Sequence, residues 1–269
     1  MGVKYILLLF ALTFFYQITE GQPVSEIEST ILKCTERIDY WTSNPNIDSE
    51  DSTATISKFL LDYLKVALEN QPTSINSSFK KIQKGEMNIL TSDDSNVRIY
   101  CWDVGGMHTA RSTDALIQYR TPKGIKVEIL NDDTKSVEGD VLTGTYYREL
   151  YTYQTKSIGT IYVEIDIVVA WNTGGEYNVS AFAIRNNKLV WNIPFFKTST
   201  KTKSSISYGY DLSLDKNSNF DFEDIKIRMS EDRKTLSIPL ITNDNKITGK
   251  YLVYKFDGNE FVFDRESSK

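Results

Sequence analysis

Histidine and cysteine are scarce in this sequence, which has one histidine, His108, and two cysteines among 269 residues. One histidine cannot build a histidine-rich metal centre, and two cysteines cannot complete a structural zinc site. A serine or cysteine nucleophile with a histidine base would have to use His108, and no G-x-S-x-G turn is present. The glycine patterns of nucleotide-binding loops are absent as well. The sequence therefore predicts no catalytic residues, no cofactor and no metal site.

Excess positive charge and regular repeats are also lacking. The chain has 31 basic and 36 acidic residues and a net charge of -5, which argues against a nucleic-acid-binding surface. Six prolines and 14 glycines without a repeating period exclude collagen-like and low-complexity architectures. With 40% hydrophobic and 25% charged residues, the composition is that of a folded globular protein.

Long apolar runs are limited to the N-terminus. Lys4 precedes an apolar run from Tyr5 to Tyr16, and small or polar residues follow through Gly21. A run of about 12 residues is typical of a signal peptide and is too short to span the ~30 Å of hydrocarbon in a membrane. We therefore expect a signal peptide over residues 1–21 that is cleaved near Gly21, a secreted or periplasmic protein, and no membrane span in the mature chain. A buried N-terminal helix or a membrane anchor is the alternative.

The mature chain divides into a helical part and a strand-rich part. Apolar residues recur at helical spacing over residues 24–38 and again from about 52–70, which predicts two amphipathic helices. From about residue 87 onward the apolar period changes from 3.6 to 2, which indicates strands. We expect a helical segment over residues 22–78 and a β-rich domain over residues 79–269, folded together as one unit.

The predicted strands are short and closely spaced. Thr121–Gly124 is typical of a turn, and Asn186-Asn187 and Asp257-Gly258 both predict two-residue hairpin turns, because Asn and Gly tolerate the positive φ of such turns. Such spacing leaves no room for crossover helices, so the strands must pair mainly antiparallel. The sequence therefore predicts an α+β fold, with two N-terminal helices followed by a mainly antiparallel β-rich domain of about 10 or 11 strands. A sandwich, an open barrel and a bent meander all fit this pattern.

Three segments of the strand-rich part are similar to those of a known family. They are Arg98–Asp103 with Gly105-Gly106-Met107, Ser180–Ile184 with Lys188–Val190, and Leu252–Gly258. These segments resemble a family of uncharacterised secreted proteins of Gram-negative bacteria, and together they cover most of the chain from about residue 80 onward. The family has no assigned activity or catalytic residues, so the resemblance implies export and no particular chemistry.

Paired carboxylates offer the simplest route to an enzyme in this sequence. Glu164 and Asp166 alternate with apolar residues on one predicted strand, which places their side chains roughly 7 Å apart on the same face. Glycosidases need two carboxyl groups about 5–9 Å apart. A two-carboxylate hydrolase acting on glycans is therefore the alternative function. A strand whose polar face is simply solvated shows the same pattern, and we favour that interpretation.

The two cysteines can form a disulfide if the fold brings them together, because exported proteins meet an oxidising environment. Cys34 lies on the apolar stripe of the first predicted helix, and Cys101 shares a strand face with Val97 and Ile99. If that helix packs on that strand face, the bridge would close a loop of about 67 residues and stabilise the fold by roughly 4 kcal/mol. Two separate buried thiols are the alternative.

A repeated pattern predicts a ligand site. Trp102-Asp103 and Trp171-Asn172 each end a predicted strand and are each followed, after one residue, by Gly-Gly. If both strands run the same way in one sheet, the two loops emerge at one rim, where indole faces and polar side chains could bind a ligand. The alternative is that both indoles pack inward and the glycines only supply the turns.

These features together predict a non-catalytic binding or surface protein. Its expected partner is a glycan, a peptide or an envelope component, and no nucleic acid is expected. A deep cleft with convergent acids of raised pKa would favour the hydrolase instead, whereas a shallow aromatic surface would favour the binding protein.

Overall fold

In the part of the chain that the structure describes, two α-helices are followed by three β-sheets. A computed structural model describes residues 22–45, 48–82, 87–105, 112–130, 144–171, 174–215, 221–242 and 244–268. The helices are α1 (Val24–Ser43) and α2 (Ser49–Asn70), and short 3-10 helices cover Pro72–Asn76 and Leu212–Asp215. The strands are β1 (Asn88–Thr91), β2 (Val97–Gly105), β3 (Ser112–Thr121), β4 (Gly124–Ile129), β5 (Thr145–Thr155), β6 (Gly159–Trp171), β7 (Gly174–Arg185), β8 (Lys188–Val190), β9 (Phe196–Lys197), β10 (Thr202–Lys203), β11 (Ser205–Asp211), β12 (Arg228–Met229), β13 (Thr235–Ile241), β14 (Ile247–Phe256) and β15 (Phe261–Ser268).

Both helices form where the apolar spacing predicts them. The buried apolar side chains of α1 are Ile27, Ile31, Cys34 and Ile38, which lie three or four residues apart on one side of the helix. The helix ends at Ser43, directly before the Asn44-Pro45 sequence, as expected because proline disfavours helical geometry in the residue that precedes it.

The strands pair into three sheets that are almost entirely antiparallel. The helix-side sheet has the order β1-β2-β3-β4, and the central sheet has the order β11-β7-β6-β5 with β8 added beside β7. The outer sheet has the order β10-β9-β15-β14-β13-β12. Among the described strand pairs, β9 with β15 is parallel and every other pair is antiparallel. The predicted α+β fold is therefore confirmed.

Four layers stack in the order helices, helix-side sheet, central sheet and outer sheet, and each junction is a hydrophobic core. The helices pack on the helix-side sheet through Tyr100, Trp102 and Leu116 of that sheet. The opposite face of the helix-side sheet meets the central sheet through Ile99, Ile117, Tyr162 and Phe182, among others. The other face of the central sheet meets the outer sheet through Val163, Val179, Leu236 and Phe261, among others.

The predicted disulfide is wrong, because the two cysteines lie on opposite sides of the helix-side sheet. Cys34 of α1 packs in the core beneath the helices with Tyr100 and Trp102. Cys101 alternates with those residues along β2 and faces the central sheet. Both thiols are free and buried. Burial raises the pKa of Cys34 to about 11 and that of Cys101 to about 12, so both are protonated and unreactive at neutral pH.

The turns follow the predictions in part. Asn186 and Asn187 have φ of 51° and 63° and form the predicted two-residue turn between β7 and β8. The connection between β14 and β15 instead spans residues 257–260, in which the backbone N–H of Asp257 donates to the carbonyl of Glu260. The described chain contains fifteen strands rather than about 10 or 11, because short pairings such as β9 and β10 carry no periodicity that a sequence pattern could reveal.

Candidate functional site

Trp102 is buried by the fold, so its indole does not lie at an open rim where a ligand could reach it. The side chain is 1% exposed and lies under the helices. Its Nε1 donates to Ser57 Oγ of α2 at 2.8 Å, and the Ser57 hydroxyl in turn donates to the Asp114 carboxylate. Asp103, the next residue, is half-buried, and its Oδ1 accepts the backbone N–H of Gly105 at 2.7 Å. Trp102 thus packs inward, as in the alternative stated for it.

The second half of the repeated pattern belongs to a different sheet. Trp171 ends β6 in the central sheet, whereas Trp102 lies on β2 in the helix-side sheet, so the two strands do not share one sheet rim. The Trp171 side chain and all of Asn172 lie outside the described parts of the chain, as do Gly106 and His108. Gly174 and Gly175 are strand residues of β7 rather than a turn. A ligand role for Asp103, Trp171 and Asn172 stays a prediction.

Glu164 and Asp166 form a buried pair between the helix-side sheet and the central sheet. They are 2% and 5% exposed, so the interpretation that this strand face is solvated is wrong. The Ser180 hydroxyl donates to Glu164 Oε1 at 2.5 Å, and Asn178 Nδ2 donates to Asp166 Oδ2 at 2.8 Å. Both donors come from β7, whose register places Ser180 beside Glu164 and Asn178 beside Asp166.

The two carboxyl groups face each other's charge in a dry interior, which disfavours the ionisation of both at once. Burial and the neighbouring Asp166 raise the pKa of Glu164 well above its ordinary value. Burial raises the pKa of Asp166 to about 6, although hydrogen bonds from Asn178 and Glu164 favour its ionised form. Glu164 Oε2 is buried and has no hydrogen-bond partner in the described chain. Because an ionised carboxylate is costly to bury with an unpaired oxygen, this environment favours the protonated form of Glu164.

Tyr147 and Cys101 complete the surroundings of the acid pair. Tyr147 lies opposite Asp166 on β5, and Cys101 faces the pair from β2, with its Sγ 3.8 Å from the Thr145 carbonyl oxygen. Burial and the nearby carboxyl groups raise the pKa of Tyr147, so it stays neutral. Two carboxyl groups that are buried in a dry interior do not form the open, solvent-reached pair that glycoside hydrolysis requires. Their arrangement makes them a structural element that is sensitive to pH.

A cavity of about 300 Å³ opens at one end of the same junction between sheets. It lies where β2 and β6 begin and where β3 and β7 end. The residues that matter for its chemistry are Asn96, Arg120, Pro122, Thr160, Tyr162 and Arg185. Tyr162 lies on the same face of β6 as Glu164 and Asp166, so this strand face runs from the cavity to the buried acid pair.

Hydrogen bonds from both sheets fix the walls of the cavity. The Tyr162 hydroxyl donates to Asp94 Oδ2 at 2.9 Å, and Asn96 Nδ2 donates to the same oxygen at 2.9 Å. Arg185 donates from Nη1 to the carbonyl oxygens of Ile184 at 3.1 Å and Thr160 at 3.4 Å. Its Nη2 donates to the carbonyl oxygen of Ile158. The cavity is therefore a built feature of the two sheets rather than a gap between loose side chains.

Sequence patterns gave no indication of this cavity. Its residues come from four separate segments, near positions 96, 120, 160 and 185, none of which contains a recognisable motif. The signal that existed was two arginines at the ends of predicted strands in an acidic chain, which is too common to single out a site.

Neither a known family nor a metal-binding cluster can be assigned to this site in the described chain. No family model and no curated protein matches this chain. The resemblance of the segments around Trp102, Phe182 and Tyr254 to secreted proteins of Gram-negative bacteria therefore stays a prediction. In the described residues, no group of three or more histidine, cysteine or acidic side chains is arranged to hold a metal ion. No helix among those residues has the length and apolarity needed to cross a membrane.

Proposed function

We propose that this protein is an exported, non-catalytic binding protein whose ligand occupies the cavity between the helix-side and central sheets. The observation that carries the proposal is the cavity itself, because polar side chains from both sheets converge on a concave space of about 300 Å³. Ligand sites are typically concave and combine apolar walls with a few fixed polar groups. Pro122 and Ile184 supply apolar surface here, while Asn96, Tyr162 and Thr160 supply polar groups.

The rigidity of the walls supports binding rather than turnover. Each wall residue belongs to a strand or to a tight turn, and hydrogen bonds hold the Tyr162 and Arg185 side chains. A site that is already formed binds without the entropy cost of ordering its side chains. The expected partner is a glycan, a peptide or an envelope component, as the composition and the N-terminal segment predict.

A glycan and peptide array tests the proposal, with the mature chain compared with a variant in which the cavity is filled. Thr160→Tyr places a large side chain in the cavity wall, and tyrosine is compatible with a strand. Thr202→Tyr makes the same change at an exposed position of the outer sheet and is the matched control. We expect array binding by the parent and by Thr202→Tyr, and its loss in a Thr160→Tyr variant with an unchanged thermal unfolding curve. Undiminished binding by a folded Thr160→Tyr variant would contradict the proposal.

A further inference from the structure

The arginines of the cavity have hydrogen-bond donors that the protein does not use. A guanidinium carries five N–H donors. Arg120 donates from Nε to the Ser95 carbonyl oxygen at 3.3 Å, and its two terminal nitrogens have no partner among the described residues. Arg185 uses its terminal nitrogens on backbone carbonyls, and its Nε has no partner there. In the described chain, neither guanidinium pairs with a carboxylate.

The charge of the cavity is opposite to that of the whole protein. Two arginines line the cavity. One acid, Asp94, accepts a hydrogen bond from the hydroxyl of Tyr162 in the cavity wall. Burial opposes ionisation of Asp94, but hydrogen bonds from Ser92 and Asn96 outweigh this effect and lower its pKa, so Asp94 is ionised at neutral pH. The charges of the two arginines and Asp94 therefore sum to +1 at the cavity, whereas the whole chain has a net charge of -5. A partly enclosed cation that is not paired with a carboxylate attracts an anion.

We infer that Arg120 and Arg185 bind an oxyanion group, a carboxylate or a phosphate, that is part of the ligand in this cavity. The inference rests on the proposed function and names the chemistry of its ligand. The free terminal nitrogens of Arg120 can donate two parallel hydrogen bonds to one such group, which is the geometry that arginine uses for carboxylates and phosphates. The uncharged remainder of the ligand would lie against Pro122 and Tyr162.

Three small probes test the inference in solution with the mature chain. Inorganic phosphate represents a phosphoryl ligand, glucuronate represents an acidic sugar, and glucose is the uncharged counterpart of glucuronate. Titrations followed by amide chemical shifts should show one or both anions perturbing residues near the cavity, with no effect of glucose. Which anion binds more tightly distinguishes a phosphoryl ligand from a carboxylate ligand. Binding should also weaken as the salt concentration rises.

Variants of Arg120 provide the decisive comparison, because the Arg120 side chain makes a single long hydrogen bond to the described part of the protein and its loss should leave the fold intact. Arg120→Gln should weaken anion binding about tenfold or more, and Arg120→Lys should retain part of the affinity. Arg265→Gln removes an exposed arginine of the outer sheet and should change nothing. Equal affinity of Arg120→Gln and the parent for both anions would overturn the inference, and so would the absence of any shift at roughly 50 mM of either anion.

The two proposals fail in different ways on the array. If Thr160→Tyr loses array binding while Arg120→Gln keeps it, the cavity is the site and the anion inference is wrong. If Thr160→Tyr keeps array binding, the proposed function itself is wrong, whatever phosphate and glucuronate do. If both variants lose array binding and Arg120→Gln also loses phosphate or glucuronate, both proposals are supported.

Discussion

Replacing Glu164 by glutamine should make the protein more stable at neutral pH relative to the parent, and the difference should grow with pH. In the folded parent, Glu164 holds a proton because its pKa is raised by burial and by Asp166. In the unfolded chain the same carboxyl group ionises above its ordinary pKa of about 4.3. Above that pH the folded state binds more protons than the unfolded state, so stability falls as pH rises. Glutamine keeps the shape and a donor for Asp166, but it has no proton to lose.

The size of the effect follows from the linkage between protons and stability. Each pH unit between the unfolded and folded pKa values changes the free energy of unfolding by about 1.4 kcal/mol. Asp166, whose pKa is raised to about 6, is present in both proteins, so its titration is not the source of the difference between them. The advantage of Glu164→Gln over the parent should therefore grow at this rate from about pH 4.5 until the pH reaches the raised pKa of Glu164 in the folded protein. The glutamine amide fits the site imperfectly, but this changes the free energy of unfolding by the same amount at every pH. It therefore does not alter how the difference between variant and parent changes with pH.

Urea unfolding at several pH values between 4 and 8 measures the effect. Glu266→Gln changes an exposed glutamate at the end of the outer sheet and is the control, for which we expect a difference that does not vary with pH. A flat difference for Glu164→Gln, or one that shrinks as pH rises, would refute the conclusion that Glu164 is protonated in the folded protein.

Three further predictions concern buried contacts. Ser57→Ala should lower the free energy of unfolding by about 1–3 kcal/mol, because it leaves the buried Trp102 N–H without its acceptor; a loss below 0.5 kcal/mol in urea unfolding would contradict this role. Gly175→Ala should lower the free energy of unfolding by about 1–3 kcal/mol in the same assay, because a Cβ there would lie 2.2 Å from a backbone oxygen of β6. A Gly175→Ala variant as stable as the parent would show that the strands are not this close. Thiol titration in denaturant without reductant should find both Cys34 and Cys101 free, and the detection of neither would restore the disulfide.

The sequence pattern identified β6 and its apolar face correctly, but it could not show what covers the other face. Alternation reports that the two faces of a strand differ, and a polar face usually meets water. Here the helix-side sheet covers Glu164 and Asp166, and hydrogen bonds with Ser180 and Asn178 make their burial tolerable. That cover is formed by residues more than about 40 positions away in the chain, beyond the reach of any local period.

The same limit explains the errors at the tryptophan and cysteine positions. Val97–Trp102 of β2 are all buried, because one face meets the helices and the other meets the central sheet. The sequence showed that Cys101 and Trp102 point in opposite directions, but it could not tell which layer lies on which side. Placing the helices on the wrong face brought Cys34 to Cys101 and left Trp102 in solvent. In the observed order of layers the helices cover Trp102 instead of Cys101, so Trp102 is buried and the two cysteines are kept apart.

The stacking of layers also has a consequence for how the chain assembles. Residues 24–76 form the helical layer, 88–129 the helix-side sheet, 145–190 most of the central sheet and 228–268 most of the outer sheet. A chain that is delivered N-terminus first can therefore add each layer to one already in place, with mostly local pairing inside each layer. Strand β9 is the exception, because it pairs in parallel with β15 and must wait for the last strand to arrive. Until the outer sheet has formed, one apolar face of the central sheet is exposed to water, so the strands made last are the ones that remove this aggregation-prone surface.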